Sequence, residues 1–260
     1  MKNARSMSAI AGIILGLTML TGTSSADQLP VPPGPQPPEP LPELTAEWWQ
    51  WVYSIPQPYA ADTAISNPLF DTTGASCMVG QRGSVWFLAG DNLTQPGQVI
   101  RSCLVPEGAS IFFPVINFVN FNSPGCPPGT LPMGVQALLP LVQQSIAAVD
   151  FKSISVTVDG ADVKKTLLQL VQSEPFELAF PTQNIFGPSA CGTQGTPPQG
   201  VPLAPIIYSP SVATGYYVWL PPLSLGNHTI SFYAFETTAP IGPSYQDVIY
   251  NITVEPVSLK

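Results

Sequence analysis

Short alternating apolar runs recur through this chain and are cut apart by 32 Pro and 21 Gly. Proline removes a helical donor and clashes with the preceding turn, so few stretches can hold a long helix. Alternation instead suits strands with one buried face. Residues 84–89 and 99–105 read as strands. Residues 111–117 do too, with Pro114 marking an edge or a bulge. Ile154, Val156 and Val158 alternate into Asp159-Gly160, a strong hairpin turn. Phe176, Leu178 and Phe180 alternate again, and residues 216–220 read as a fully buried strand. Residues 228–235 and 247–254 form a last pair, with Val248, Tyr250, Ile252 and Val254 on one face. The pattern predicts an all-β fold in the main: a β-sandwich, immunoglobulin-like or jelly-roll-like, with one or two short helices.

One helix is expected from Thr45, as its cap, to Ser54, ahead of Pro56. Trp48, Trp51, Val52 and Ile55 share a face of it and should dock on the main domain. Trp49 lies off that stripe and is the candidate for an exposed residue stacking on sugar rings. A second helix is expected between Leu138 and Val149, starting around Pro140. Only 9% of residues are charged, against about 25% in ordinary soluble domains, which argues against a helical bundle.

The N-terminus carries Lys2 and Arg5, an apolar run over residues 9–20, and small residues ending at Ala26. This is the pattern of a cleavable signal peptide, residues 1–26, and it places the protein in a secreted or periplasmic location. No membrane span is expected after cleavage, because the apolar run is shorter than the ~20 residues needed. Residues 27–44 follow as a proline-rich stalk, with eight Pro within residues 30–42. The β domain is expected over 45–260, either as one sandwich or as two split near residue 150. Removal of Lys2 and Arg5 takes the net charge from −8 to −10 and leaves six scattered cations. Six cannot build the basic stripe that a phosphate backbone requires, so nucleic acid is excluded as a partner class. Neutral extracellular polysaccharide, cations or another protein stay open, and no oligomeric state is implied.

Cys77, Cys103, Cys126 and Cys191 read as two disulfides in an oxidising compartment. Three pairings exist, and the favoured one joins Cys77 to Cys103 and Cys126 to Cys191. No metal-ligand spacing is present. Calcium remains allowed in a net-acidic secreted domain, although no Asp-x-Asp-x-Asp-Gly loop occurs. No other cofactor is expected.

Residues 70–76 resemble the Asp-Thr-Gly loop of aspartic proteases, with an inserted Thr and no second copy to share a proton. The plainer reading is a turn in which Asp71 bonds its own backbone. Gln81, Arg101 and Asn117 are polar residues in or beside apolar strands, and with Trp49 and Asp71 they are the ligand-binding candidates. Arg101 shares a face with Cys103, and Asp71 is its expected carboxylate partner. His228, the only His, lies at a turn running into a strand and is read as structural. Asn92, Asn227 and Asn251 stand in glycosylation sequons. Glu174, Glu177 and Glu236 lie near strand ends, where paired acids of a glycosidase could sit. The Gly/Pro-rich stretch over residues 184–210 reads as one long loop.

Several phrases are similar to a group of secreted, mainly bacterial proteins to which no activity is assigned. They include Trp48-x-x-Trp51, Asn67-Pro68, Asp71-Thr72-Thr73-Gly74 and Val85-Trp86-Phe87-Leu88-Ala89-Gly90. Arg101-x-Cys103-x-Val105-Pro106, Phe113-Pro114-Val115-Ile116-Asn117 and the run from Leu223 to Ile230 extend the resemblance. It implies a secreted single-domain sandwich and brings no activity with it. The leading functional expectation is a non-enzymatic binding protein for polysaccharide. The alternatives are an extracellular glycan hydrolase using carboxylates and a self-assembling envelope protein.

Overall fold

The alternating runs pair into two sheets that share one core. The computed structural model describes residues 35–57, 66–92, 97–124, 129–181, 183–186, 206–236 and 244–257. In chain order these form α1 (Leu41–Ser54), β1 (Val85–Phe87), β2 (Val99–Pro106), β3 (Ser110–Phe121) and α2 (Val135–Ala147). Then come β4 (Ser155–Val158), β5 (Ala161–Asp162), α3 (Lys164–Leu167), β6 (Leu168–Gln172) and β7 (Phe176–Phe180). Last are β8 (Ile206–Leu220), β9 (Gly226–Glu236) and β10 (Ser244–Glu255). Residues 1–26, read as a signal peptide, and Cys126 and Cys191, expected to pair, lie outside the described residues.

One sheet runs β1-β3-β8-β6, with β7 also paired to β8. The other runs β2-β10-β9-β4-β5. Each draws strands from both sides of residue 150, so no division into two separate sandwiches occurs there. The first sheet is buried on both faces at its centre, along the start of β3 and the adjoining part of β8. On one, Ile111, Phe113 and Val218 meet Val156, Phe232 and Val248 of the other sheet, and Phe113 stacks on Phe232 at 5.3 Å. On the other, Phe112, Tyr217 and Leu178 meet Leu44, Trp48 and Val52 of α1. This is why β3 opens with an unbroken buried run rather than an alternating one. The second sheet has one wet face, and β2 alternates accordingly between buried Arg101 and Cys103 and exposed Ile100, Ser102 and Leu104.

Proline sets several element limits differently from expectation. α1 starts at Leu41, after Pro40, with Pro42 in its first turn. The first turn has no intrahelical donors to lose, so proline fits there. The last residues of the proline-rich stretch therefore belong to the helix, and Thr45 is buried inside it rather than capping it. α2 starts at Val135 and keeps Pro140 within it. The carbonyl that Pro140 leaves unpaired belongs to exposed Gln136, where water can serve it. The stretch read as one loop over 184–210 ends in strand, because β8 begins at Ile206. Pro114 does mark a bulge: the β3–β8 register shifts between Pro114 and Ile116. Asp159 and Gly160 both have positive φ, as the expected β4–β5 hairpin turn requires.

The edge of β2 is covered by the segment before it. The Ser102 N–H donates to Thr73 O at 2.9 Å, and the expected Cys77–Cys103 disulfide ties that segment to the strand. Covering an edge in this way removes a template for aggregation.

Candidate functional site

The first sheet has a second edge, and this one lines a cleft. β1 pairs with β3 only from Ser110 to Phe112, and its continuation ends with the Leu88 N–H donating to Phe112 O at 3.1 Å. Beyond that point, no described strand lies on this side of β3. The Asn122 N–H donates to Pro210 O, which fixes the parity of the β3–β8 ladder past the bulge. Even-numbered residues bond to β8, and Asn117, Val119 and Phe121 turn their backbone N–H and C=O to the open side.

A cleft of about 390 Å³ opens along this edge. Residues 116–120, five in succession, form its floor. Side chains of successive strand residues point to opposite faces, so five in a row can line one cavity only if the strand presents its edge. Trp48, Trp49 and Tyr53 of α1 form one wall, and Ser145 of α2 with Glu236 at the end of β9 forms another. Asp91 and Gln246 close one end, locked together by the Asp91 N–H to Gln246 Oε1 and Gln246 Nε2 to Asp91 O, both 2.8 Å.

Glu236 is the unusual group here. Its side chain continues the inward row of Ile230, Phe232 and Ala234 and is 1% exposed, yet neither carboxyl oxygen has a hydrogen-bond partner. Burial raises its pKa above the usual carboxylate value. The sign follows: folding favours the protonated acid, so stability is greatest below about pH 4.5 and falls as pH rises through the higher folded value. Glu236→Gln is therefore expected to unfold at higher temperature than the parent at pH 7.5, with the difference vanishing near pH 4. Glu47, raised to about 7 by burial and then by Glu39 and Glu43, also titrates in this range, so the two proteins are compared at each pH. Equal midpoints at pH 7.5 would show that the carboxyl finds a partner in solution.

Of the five sequence candidates, two line the cleft. Asn117 does, with its Nδ2 donating to the buried Tyr217 hydroxyl at 3.2 Å. Trp49 does as well, but it is 6% exposed rather than free to stack on a sugar. Its ring packs edge-on against Trp48 and Tyr53, each at 4.9 Å, and Tyr53 in turn meets Phe186 at 5.6 Å, so α1 is packed on more than the predicted stripe. The other three hold the scaffold. Gln81 is fully engaged with backbone: its Nε2 donates to Cys77 O and Phe87 O, and its Oε1 accepts from the Phe87 N–H. Asp71 makes the expected turn, accepting from the Thr73 N–H and hydroxyl and from the Ser76 N–H. Burial alone would raise its pKa, but these bonds outweigh it and the value is lowered.

Arg101 is 1% exposed, and the expected ion pair with the Asp71 carboxylate does not form. Its Nε donates instead to the backbone O of Asp71 at 2.7 Å. Its Nη1 donates to Ala89 O, Gly90 O and the Tyr250 hydroxyl at 2.8, 2.9 and 2.6 Å. The Asp71 carboxylate is already occupied by its own turn, which leaves the carbonyls to the guanidinium. Arg101 thereby holds residues 89–91 in place behind the cleft.

Glu174 and Glu177 are exposed and do not line the cleft, whereas Glu236 and Asp91 both do. His228 sits outside the cleft, at the β8–β9 turn. Its Nδ1 is 2.7 Å from Asp159 Oδ2, and its Nε2 is 2.9 Å from Ser224 O and 3.3 Å from Ser224 Oγ. A Ser-His-Asp row thus exists in space. With the ring protonated, both nitrogens donate, one to the Asp159 carboxylate and one to the Ser224 carbonyl, and the row is a clasp between two turns. The Asp159 hydrogen bond raises the His228 pKa, and the His228 and Thr229 hydrogen bonds lower that of Asp159. The clasp is thus intact between about pH 4 and 6.5, weakens as pH rises through the His228 value, and weakens on the acid side as Asp159 protonates. Asp159→Asn should flatten the thermal midpoint between pH 5 and 8, with a loss of at most about 1 kcal/mol at pH 5 for so exposed a pair. An unchanged slope would refute the clasp.

Compared with known protein families and with curated proteins, the chain matches none. Among the described residues, no group of three or more His, Cys, Asp or Glu could hold a metal ion, and no helix is long and apolar enough to cross a membrane.

Proposed function

We propose that this is a secreted, non-enzymatic binding protein of the immunoglobulin-like or jelly-roll-like sandwich type, with its ligand held in the cleft along β3. The observation that carries the reading is one cavity lined by strand backbone without a ladder partner among the described residues, the amides Asn117 and Asn120, buried aromatics and a carboxyl with no hydrogen-bond partner. Unmet hydrogen-bonding capacity at an aromatic-walled concavity is what a specific ligand site needs. The polysaccharide class expected from composition loses its exposed Trp49 platform but keeps these amides.

Glycans and peptides screened on the purified protein, read by tryptophan fluorescence because Trp48 and Trp49 wall the cleft, test this. Ser145→Trp, a half-buried helix position at the cleft wall, fills the space and should abolish binding. Hits that survive Ser145→Trp would place the site elsewhere. A second reading, glycan hydrolysis, is favoured by one observation: Asp91 and Glu236 share the cleft, and Glu236 is the acid whose pKa is raised. Release of reducing ends, lost in Glu236→Gln, would replace binding by hydrolysis.

A further inference from the structure

The open edge of β3 names the chemistry of its partner. From Asn117 to Phe121, alternate residues present backbone N–H and C=O with no ladder partner among the described residues, and Asn117 and Val119 do so directly on the cleft floor. The groups that complete such a row at matching spacing are those of another extended polypeptide. A sugar carries hydroxyls but no repeat of alternating donors and acceptors at about 7 Å, the two-residue repeat of a strand. The protein covers the edge of β2 with the loop bearing Thr73, whereas this stretch of β3 stands open to a concavity. The lining residues add a charge preference: Asp91 and Glu236 are acidic, and no Lys or Arg joins them. The chain as a whole is at −8.

We infer that the cleft binds an extended peptide segment of a partner protein, which adds as a strand to β3 across Asn117 and Val119 and carries a cationic side chain toward Glu236. This rests on the cleft being the binding site. The open edge from Asn117 to Phe121 takes a segment of about five residues at ~3.4 Å each. Backbone pairing supplies the affinity, and the cation opposite the buried carboxyl supplies the preference. The paired segment would make β3 an interior strand along its whole length.

The probe is the blocked pentapeptide acetyl-Thr-Val-Lys-Val-Thr-amide, titrated into the whole protein with its disulfide intact. Binding should slow hydrogen exchange at the Asn117 and Val119 amides. N-methylation of the peptide amides that face β3 should weaken it about tenfold per bond lost. Val119→Pro deletes one outward N–H and no ladder bond, which an edge position tolerates, and should weaken binding similarly. If that variant fails to fold, the methylated peptides decide alone, because they leave the protein unaltered. Norleucine in place of Lys should bind less well, and Glu236→Gln should erase that difference. Binding indifferent to N-methylation, or no binding of any pentapeptide, overturns strand addition. Glycan binding blocked by Ser145→Trp, without peptide binding, leaves the cleft as the site and sinks this inference. Failure of both ligand classes sinks the two together. Self-association abolished by Val119→Pro would overturn the foreign partner and make a second copy the occupant.

Discussion

Arg101→Leu should cost about 3–5 kcal/mol, the largest loss expected for a single substitution in the described core. The guanidinium satisfies the carbonyls of Asp71, Ala89 and Gly90 and the Tyr250 hydroxyl, all within the buried interior. Leucine fills much of the volume and donates nothing, so the Asp71 and Gly90 carbonyls lose their donor out of reach of water, at about 1–3 kcal/mol each before relaxation, while Ala89 O keeps the Tyr250 hydroxyl. Lysine should recover part of the loss: its ammonium is a point donor on a flexible stem and cannot span acceptors on opposite sides of a planar fork. Urea midpoints for the two variants and the parent decide this. Arg101→Lys as stable as the parent would show that charge alone, not the fork, is required. Because Gly90, whose carbonyl Arg101 holds, lines the cleft next to Asp91, Arg101→Leu should also loosen any ligand the cleft holds, even where enough folded protein survives to measure it.

Gly74→Ala should come next, at about 3–4 kcal/mol. Gly74 has φ of +94°, a region that costs an ordinary residue about 1–2 kcal/mol. An added Cβ would also lie 2.1 Å from the Ser102 carbonyl oxygen, so the loop must move away from β2. That movement strains the Thr73–Ser102 hydrogen bond, worth about 1 kcal/mol, and the packing around Cys77. Thermal unfolding with the disulfide intact is the measurement. A loss under about 1 kcal/mol would mean that the loop slides freely along the edge it covers.

The two predictions also mark where sequence reading succeeds and stops. Strands were legible wherever one face is wet: Phe176, Leu178 and Phe180 alternate in sequence and in burial. β6 was not, because only Val171 of its five residues is buried and no period emerges. The pairing of Cys77 with Cys103 was legible, since two cysteines bracket a short strand-loop-strand stretch. The partners of Arg101 were not, because a backbone carbonyl has no residue type to search for. Asp71 was the visible acid, and its own turn had already claimed it. Glu236 could have been singled out by counting in twos from Ile230, which places a carboxyl on the inward face. The cleft itself depends on β1 being three residues long while β3 is twelve, a mismatch that no motif encodes.

The place of β10 bears on how the chain reaches this state. It lies between β2 and β9, parallel to the former and antiparallel to the latter, and supplies Val248, Tyr250, Ile252 and Val254 to the core. β10 is therefore the keystone of the second sheet. Until it pairs, nothing joins β2 to β9, and every contact it makes with β2 spans more than a hundred residues of chain. Such long loop closures come late in folding. The first sheet holds all its own strands without β10, whereas the second is joined into one sheet only when that long closure is made.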